Sequence, residues 1–412
     1  MNIYEPILMK ISKAHNEWVD AYSVVMPDLV EARKKSFTRR SLMLKSSLFR
    51  SLIAILNLLP QNKPPKYIFQ GLRHSHLIEQ LPAEEVMVLG GRNEWLYCFK
   101  KGYRFHWIAY VSHAFQMYIF GGKKNVLEWS IRRIHSIFSA NNTDHRYLFL
   151  WEDSLPVGMT LSVVFSAFSK VKVVCVAHGM YVSLGRKIDS LITHEGSNCK
   201  FNLTWTDAQK NLLLCMKSKS TAMFVLGLPY DVKRSSVISR EVVLIGHCGL
   251  SSDRVEYLLS LYRYRKIYMI LQDAGWKVSF RPHPQDDINF AKKIFSVVCT
   301  EAKQNLFLKR KAFIGHASSL MFEAHQFGNI VFGLELQDAF GYDKVFDVDR
   351  NILDDEYSKL PFYLEAAFRK LESKCQSDAV ESLSVRFKKC IKQIDAYVDE
   401  GFQDKVQLLR GV

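Results

Sequence analysis

Two short stretches carry residue types suited to holding an anion. In Lys277-Val-Ser-Phe-Arg-Pro-His-Pro284 an alternating apolar run is stopped by a proline on either side of His283. Neither proline can continue a β ladder, so the strand must end there and present the imidazole at its carboxyl end. Further on, Phe313-Ile-Gly-His-Ala-Ser-Ser-Leu-Met-Phe-Glu-Ala324 reads as a strand over residues 312–314, a small-residue turn from Gly315 to Ser319, and a helix that opens at the serines. Such a turn offers backbone N–H groups, hydroxyls and the positive end of a helix dipole, which together suit a phosphate. Strand ends of this kind, side by side on a parallel sheet, are where nucleotides bind. His283, flanked by Pro284, with Ser318 and Ser319 would hold a diphosphate or phosphodiester and stabilise the departing charge. Arg281 supplies a further cation, and His316, inside the turn, is placed to contact phosphate, whereas His325 reads as packing.

Other strand ends add candidates. Leu148-Phe-Leu-Trp-Glu-Asp-Ser-Leu-Pro156 sets Glu152 and Asp153 just past an apolar run. A carboxylate there suits a general base, with Asp153 first and Glu152 second, and Asp153 equally suits a cap on the following helix. Val176-Ala-His-Gly-Met-Tyr-Val-Ser183 displays His178 beside a glycine that permits close backbone approach. Gly246-His-Cys-Gly-Leu-Ser-Ser252 follows a strand but lacks the G-x-G-x-x-G spacing, which leaves Gly246 a bare nucleotide-loop candidate. Glu323, inside the helix after the serines, suits either a ribose-hydroxyl acceptor or an ordinary surface glutamate. Asp273, Asp286 and Asp287 read as solvated turn residues, so no metal site is expected.

The chain resembles the GT-B glycosyltransferases in layout over about residues 60–350. His283-Pro284 followed by Ser318-Ser319 is similar to the histidine-proline and paired-serine motifs of bacterial sialyltransferases and polysialyltransferases that use CMP-activated sugars. Capsule Kdo transferases and the polyol-phosphate polymerases of wall teichoic acid carry similar arrangements. The resemblance implies that His283, Ser318 and Ser319 hold the donor phosphates and that Glu323 accepts ribose hydroxyls. It implies that an acid of the Glu152-Asp153 pair is the base, although Ser154 stands where that motif has glycine, and that His178 lies at the catalytic cleft. The implied partners are a nucleotide-sugar donor and a glycan or lipid-linked glycan acceptor, with no metal cofactor.

The elements that must position these residues alternate short apolar runs with helix-length segments from Lys66 onward: residues 67–70, 86–89, 105–111, 147–151, 172–176 and 223–226. That alternation predicts βαβ units and a mostly parallel sheet. Residues 228–240 break it with proline, serines and charges and read as a linker. A second series follows: a strand over 242–246, a helix over 254–274, and strands at 278–281 and near Ala312 and Ile330. The expected fold is α/β, with two Rossmann-like doubly wound domains facing a cleft. A helical basic segment (1–60) precedes an acceptor domain (61–228). A nucleotide-sugar-binding domain (241–352) and a helical tail (353–412) that packs across or back onto the first domain complete the chain.

Composition bounds the function. The 412 residues carry 56 Lys+Arg against 41 Asp+Glu, a net charge of +15 that favours anionic partners. Nucleic acid is not expected, because charge alone supports it and no basic-aromatic motif accompanies the charge. A sugar-nucleotide 2-epimerase shares the two-domain layout, but the carboxylate and arginine set expected of one is missing. Polyol-phosphate transfer from a CDP-polyol is the alternative chemistry. Basic residues from Arg33 to Arg50 lead into the apolar run Ser51–Pro60, too short to span a bilayer. This segment suits either an anionic membrane surface or packing on the first domain. The 8 cysteines form no C-x-x-C pair and several sit in apolar runs, as in a reduced protein. No leader pattern opens the chain, so a cytoplasmic location is expected, peripheral to a membrane at most.

Overall fold

The computed structural model describes residues 9, 13, 65–108, 124–139, 146–151, 156–166, 171–177, 199–216, 222–246, 254–284, 286–316, 318–334, 348–373 and 381–397. The basic segment and apolar run before Pro65 therefore lie outside the described residues, Met9 and Lys13 excepted.

The first unit is built from β1 (Tyr67–Gln70), α1 (Ser75–Ile78), β2 (Val86–Gly90), α2 (Arg92–Lys101), β3 (Arg104–Trp107) and α3 (Lys124–Ser139). It continues through β4 (Arg146–Leu150), α4 (Pro156–Ser166), β5 (Val171–Val176), β6 (Phe201–Thr204), α5 (Asp207–Met216) and β7 (Ala222–Val225). Its seven strands run in the order β3-β2-β1-β4-β5-β6-β7, and every pairing is parallel. The order reverses between β1 and β4, which makes the carboxyl ends of those two strands the switch point of the sheet.

The second unit comprises β8 (Ile238–Ile245), α6 (Arg254–Asp273), β9 (Lys277–Arg281), α7 (Ile288–Ile294), α8 (Lys303–Leu306), β10 (Arg310–Gly315), α9 (Ser319–Gln326), β11 (Ile330–Leu334) and β12 (Arg350–Ile352). The order β12-β11-β10-β8-β9 is again all parallel. Here the switch point lies between β8 and β10. Side chains alternate across this sheet as a strand period requires. Val242, Leu244, Phe280, Ala312 and Ile314 pack with Tyr264, Tyr268 and Leu271 of α6. Val243, Ile245 and Phe313 point to the other face, where they meet Met321, Phe322 and Ala324 of α9.

The tail divides between the two units. In α10 (Leu360–Ser373) the stripe Leu360, Leu364 and Phe368 joins the second core. In α11 (Leu383–Ala396) the stripe Leu383, Phe387, Cys390 and Ile394 joins the first core. Each fully buried side chain of this kind contributes roughly 1.5–3 kcal/mol. Lys172 Nζ pairs with Asp395 at 2.7 Å, and the Tyr147 hydroxyl donates to the same carboxylate, fastening the end of α11 to β4 and β5. The tail thus packs on both units, with only its second half returning to the first.

The architecture is the expected α/β pair of doubly wound parallel sheets. Two strands were not read from the sequence, β6 and β12. β8 also begins at Ile238, inside the stretch read as linker.

Candidate functional site

At the switch point of the second sheet, strand β8 ends between the ends of β9 and β10. Two glycines let these ends converge. A Cβ on Gly246 would lie 2.8 Å from Phe280 Cζ, 3.0 Å from the Arg281 carbonyl and 3.3 Å from Pro282 Cα. A Cβ on Gly315 would lie 3.0 Å from both Cβ and the carbonyl oxygen of Ile245. Gly246 N donates to Arg281 O at 2.8 Å, so Gly246 seats the start of the histidine turn against β8. Two strand spacings separate the ends of β9 and β10, roughly 10 Å.

The turn after β9 closes on itself. Asp286 Oδ2 accepts from His283 N at 3.0 Å and Asp286 N donates to His283 O at 2.9 Å, which leaves Pro284 exposed and His283 half-buried at the edge. Asp287 caps α7 by accepting from Asn289 N at 2.8 Å. After β10, Ser318 is the N-cap of α9, its Oγ accepting from Leu320 N at 3.2 Å. A hydroxyl accepts and donates at once, so its O–H remains for a ligand oxygen. Ser319 opens the helix beside it, and the helix dipole adds positive potential at the same place. A half-buried imidazole on one strand end and a capped helix N-terminus on the other can together hold a phosphoryl group.

Three of the candidate residues make contacts within the protein. Arg281 Nη1 donates to Glu301 O at 2.7 Å and lies 3.8 Å from Cys299 Sγ, which ties the guanidinium to the neighbouring chain segment. His316 is buried at 4 % exposure: its Nδ1 donates to Leu334 O at 3.2 Å and its ring meets Tyr264 edge-on at 5.5 Å. It fastens the end of β10 to the end of β11. Glu323 is 1 % exposed, with Lys303 Nζ at 2.7 Å from its carboxylate and the Tyr230 ring 5.7 Å from the same ammonium. Burial pushes the Glu323 carboxyl above its usual range, and Lys303 partly offsets this. This carboxylate packs toward the linker rather than standing on an open helix face.

Tyr264 is a positioning residue that the sequence did not reveal. Fully buried on α6, its hydroxyl donates to Ile245 O at 2.5 Å and accepts from His316 N at 3.2 Å. One phenol thereby joins the ends of β8 and β10. Its only sequence signal is a place in an apolar helix stripe.

On the first unit, Glu152, Asp153 and His178 lie outside the described residues, but the strands that deliver them are held firmly. His74 Nε2 lies 3.1 Å from Val176 O, and Trp205 Nε1 donates to Ala177 O at 2.8 Å, so the backbone immediately before His178 is gripped from two sides. At the β1–β4 switch point, Arg73 stands 5.7 Å over the ring of Trp151, the residue preceding Glu152. The two units meet on this side. Trp205 stacks on Phe322 of α9 with ring centroids 5.8 Å apart, in a core that also joins Ala177 and Leu228 to Val243, Ile245 and Met321. The carboxyl edge of the first sheet is therefore packed against the helix that carries Ser318 and Ser319. Among the described residues no group of three His, Cys, Asp or Glu side chains could hold a metal ion, and no helix is long and apolar enough to cross a membrane.

No protein-family model matches the sequence, and no curated protein matches it. Solved structures similar to it include the UDP-GlcNAc 2-epimerase from Methanocaldococcus jannaschii, at 13% identity and a TM-score of 0.48 over 79% of this chain and 99% of that one. MurG from Acinetobacter baumannii is similar at 10% identity and a TM-score of 0.41, over 84% of this chain and 100% of the other. The GtfA/B complex matches at 10% identity and a TM-score of 0.43 over 66% of this chain, which spans 60% of the GtfA/B chain's length. Identities and scores this low leave the function to be read from the chain's own residues.

Proposed function

We propose that this protein is a nucleotide-sugar-dependent glycosyltransferase whose second unit holds the donor and whose first unit presents the acceptor and the base. The observation that carries the reading is the meeting of two carboxyl sheet edges around α9. The His283 turn and the Ser318–Ser319 cap straddle the β8 end on one side, and the strand ends leading to Glu152-Asp153 and His178 belong to the other. Donor phosphate sits on His283, Ser318 and Ser319, where imidazole and hydroxyl donors and the helix dipole stabilise the charge that develops as the glycosidic oxygen departs. Asp153, with Glu152 as second choice, takes the acceptor proton, and His178 lies beside it.

The similarity of His283-Pro284 and Ser318-Ser319 to CMP-sugar transferase motifs makes a sialic acid or Kdo type sugar the preferred cargo, and a cell-surface polysaccharide or lipooligosaccharide the preferred acceptor. A UDP-sugar suits the same cradle, because a phosphate site of this construction does not read the base. The basic residues from Arg33 to Arg50 would bring the enzyme to the anionic cytoplasmic face where a lipid-linked acceptor is held. The test is a product assay with CMP- and UDP-sugars, run on the parent and on Asp153→Asn. The variant should lose roughly 10²–10⁴ in turnover while donor affinity is retained. Equal loss of both would make Asp153 a structural cap, and absence of product with every donor would overturn the transferase reading.

A further inference from the structure

A basic cavity lies at the other edge of the second sheet. A cavity of about 500 Å³ is bounded by Arg234 of the linker, Arg310 at the start of β10, Arg350 at the start of β12, and Lys370 with Phe362 and Tyr363 on α10. Arg310 and Gly315 are opposite ends of one strand, so this cavity and the phosphate cradle stand roughly 17 Å apart. Its size is within the range of small-molecule sites.

The charges in it are poorly balanced. The lining holds four cationic side chains, His325 and a single carboxylate, Asp349. That carboxylate is committed to the sheet: Oδ2 accepts from Val331 N at 2.8 Å, and among the described residues it makes no ion pair with an arginine. Arg350 lies flat on Tyr363, 3.5 Å from the ring centroid, with Glu356 as its partner at 3.5 Å. Arg310 is different. Its Nε is buried and, among the described residues, has no hydrogen-bond partner. Arg234 and Arg310 both border Gly328, where a Cβ would lie 3.3 Å from Arg234 Cδ and 3.6 Å from Arg310 Nε, and Arg234 Nε donates to Gln326 O at 3.1 Å. Gly328, at φ +76, ends α9 in a left-handed turn that keeps this space open. Guanidinium groups that line one partly desolvated cavity repel each other unless an anion lies between them, and their planar forks match phosphate oxygens.

We propose that this cavity is a second binding site, for a phosphorylated small molecule. The phosphate lies between Arg234 and Arg310 with Lys370 above it, and the body of the ligand rests on Phe362 and the Ala366–Ala367 face of α10. The site is separate from the donor cradle and does not depend on the transferase reading.

Calorimetric titration of the full chain with inorganic pyrophosphate tests it, using Arg310→Gln, Lys370→Gln and His283→Ala. Saturable binding should weaken roughly tenfold or more in Arg310→Gln, the loss of one charge-assisted contact, and should weaken in Lys370→Gln while His283→Ala leaves this site unchanged. Competition in the His283→Ala background then separates sources: AMP displacing pyrophosphate better than glucose 1-phosphate supports a nucleotide, and the reverse order supports a sugar phosphate. Lys370 is exposed, so its variant decides the matter if Arg310→Gln melts early. In the His283→Ala background, pyrophosphate binding that survives both substitutions, or no binding at all in His283→Ala alone, would overturn this site. Failure of the donor cradle would show instead as a single class of sites lost in Arg310→Gln.

Discussion

Glu323 illustrates how a carboxylate that looks exposed on a helical wheel acquires a different role once the linker folds over it. Lys303 and Tyr230 close on it, and its folded-state pKa stands above the unfolded value because burial disfavours the charge. The folded protein therefore holds this proton more tightly, so the stability linked to Glu323 is fully present below the unfolded pKa and is lost as pH rises through the folded one. Relative to Glu323→Gln, the parent should lose stability as pH rises from about 4. Urea melts of both proteins across that range check the slope, and an opposite slope would mean that the Lys303 pairing outweighs burial. His283 and Ser318 were legible because prolines and a strand–turn–serine pattern dictate local geometry. The partners of Glu323, Arg281 and His316 were not, because Lys303, Glu301 and Leu334 reach them through tertiary packing that no local pattern encodes.

At the level of elements, alternation of apolar runs with helix-length segments was enough to place most strands within a residue or two. β6 escaped because two of its four buried residues, Asn202 and Thr204, are polar and only 3 % and 1 % exposed; Thr204 Oγ1 lies within hydrogen-bonding reach of Phe224 O at 3.3 Å. β12 escaped because it is a short edge strand whose first two residues, Arg350 and Asn351, are exposed. Switch points are a property of strand order, and order is not written in any one strand. Tyr264 is where order becomes geometry, since its hydroxyl bridges the ends of β8 and β10. Tyr264→Phe keeps the ring and leaves the His316 N–H and the Ile245 carbonyl without that partner, at a cost of about 1–3 kcal/mol. Nucleotide affinity should fall alongside the melting temperature. Unchanged stability in denaturant melts would show that the two strand ends do not need the bridge.

Across the whole molecule, the tail makes the two units one assembly. Arg386 of α11 donates to three carbonyls at the entry to the linker, Leu226 at 2.6 Å, Leu228 at 2.8 Å and Tyr230 at 3.0 Å, and Asp231 Oδ1 accepts from Leu383 N at 2.6 Å. Gly227, at φ +78, is shaped to this contact, since a Cβ there would stand 2.6 Å from Arg386 Nη1. Arg386→Met should expose the linker to limited proteolysis near Gly227 and lower stability by about 1–3 kcal/mol, whereas an uncut linker would show that packing alone holds it. A helical tail was readable from its composition. Its division between the two cores depends on which apolar stripe meets which sheet, a matter settled only in three dimensions.

In the proposed function, the carboxyl edge of the second sheet holds a nucleotide through His283 and the α9 cap. The most direct test is a melting-temperature titration of the full chain with CMP, CDP, UDP and GDP, repeated on His283→Ala and Ser318→Ala, because a ligand that binds only the folded state raises the melting point with saturation. At least one nucleotide should stabilise the parent saturably, and both variants, melting near the parent temperature without ligand, should lose most of that increase. No stabilisation by any nucleotide, or stabilisation that both variants retain in full, would contradict it.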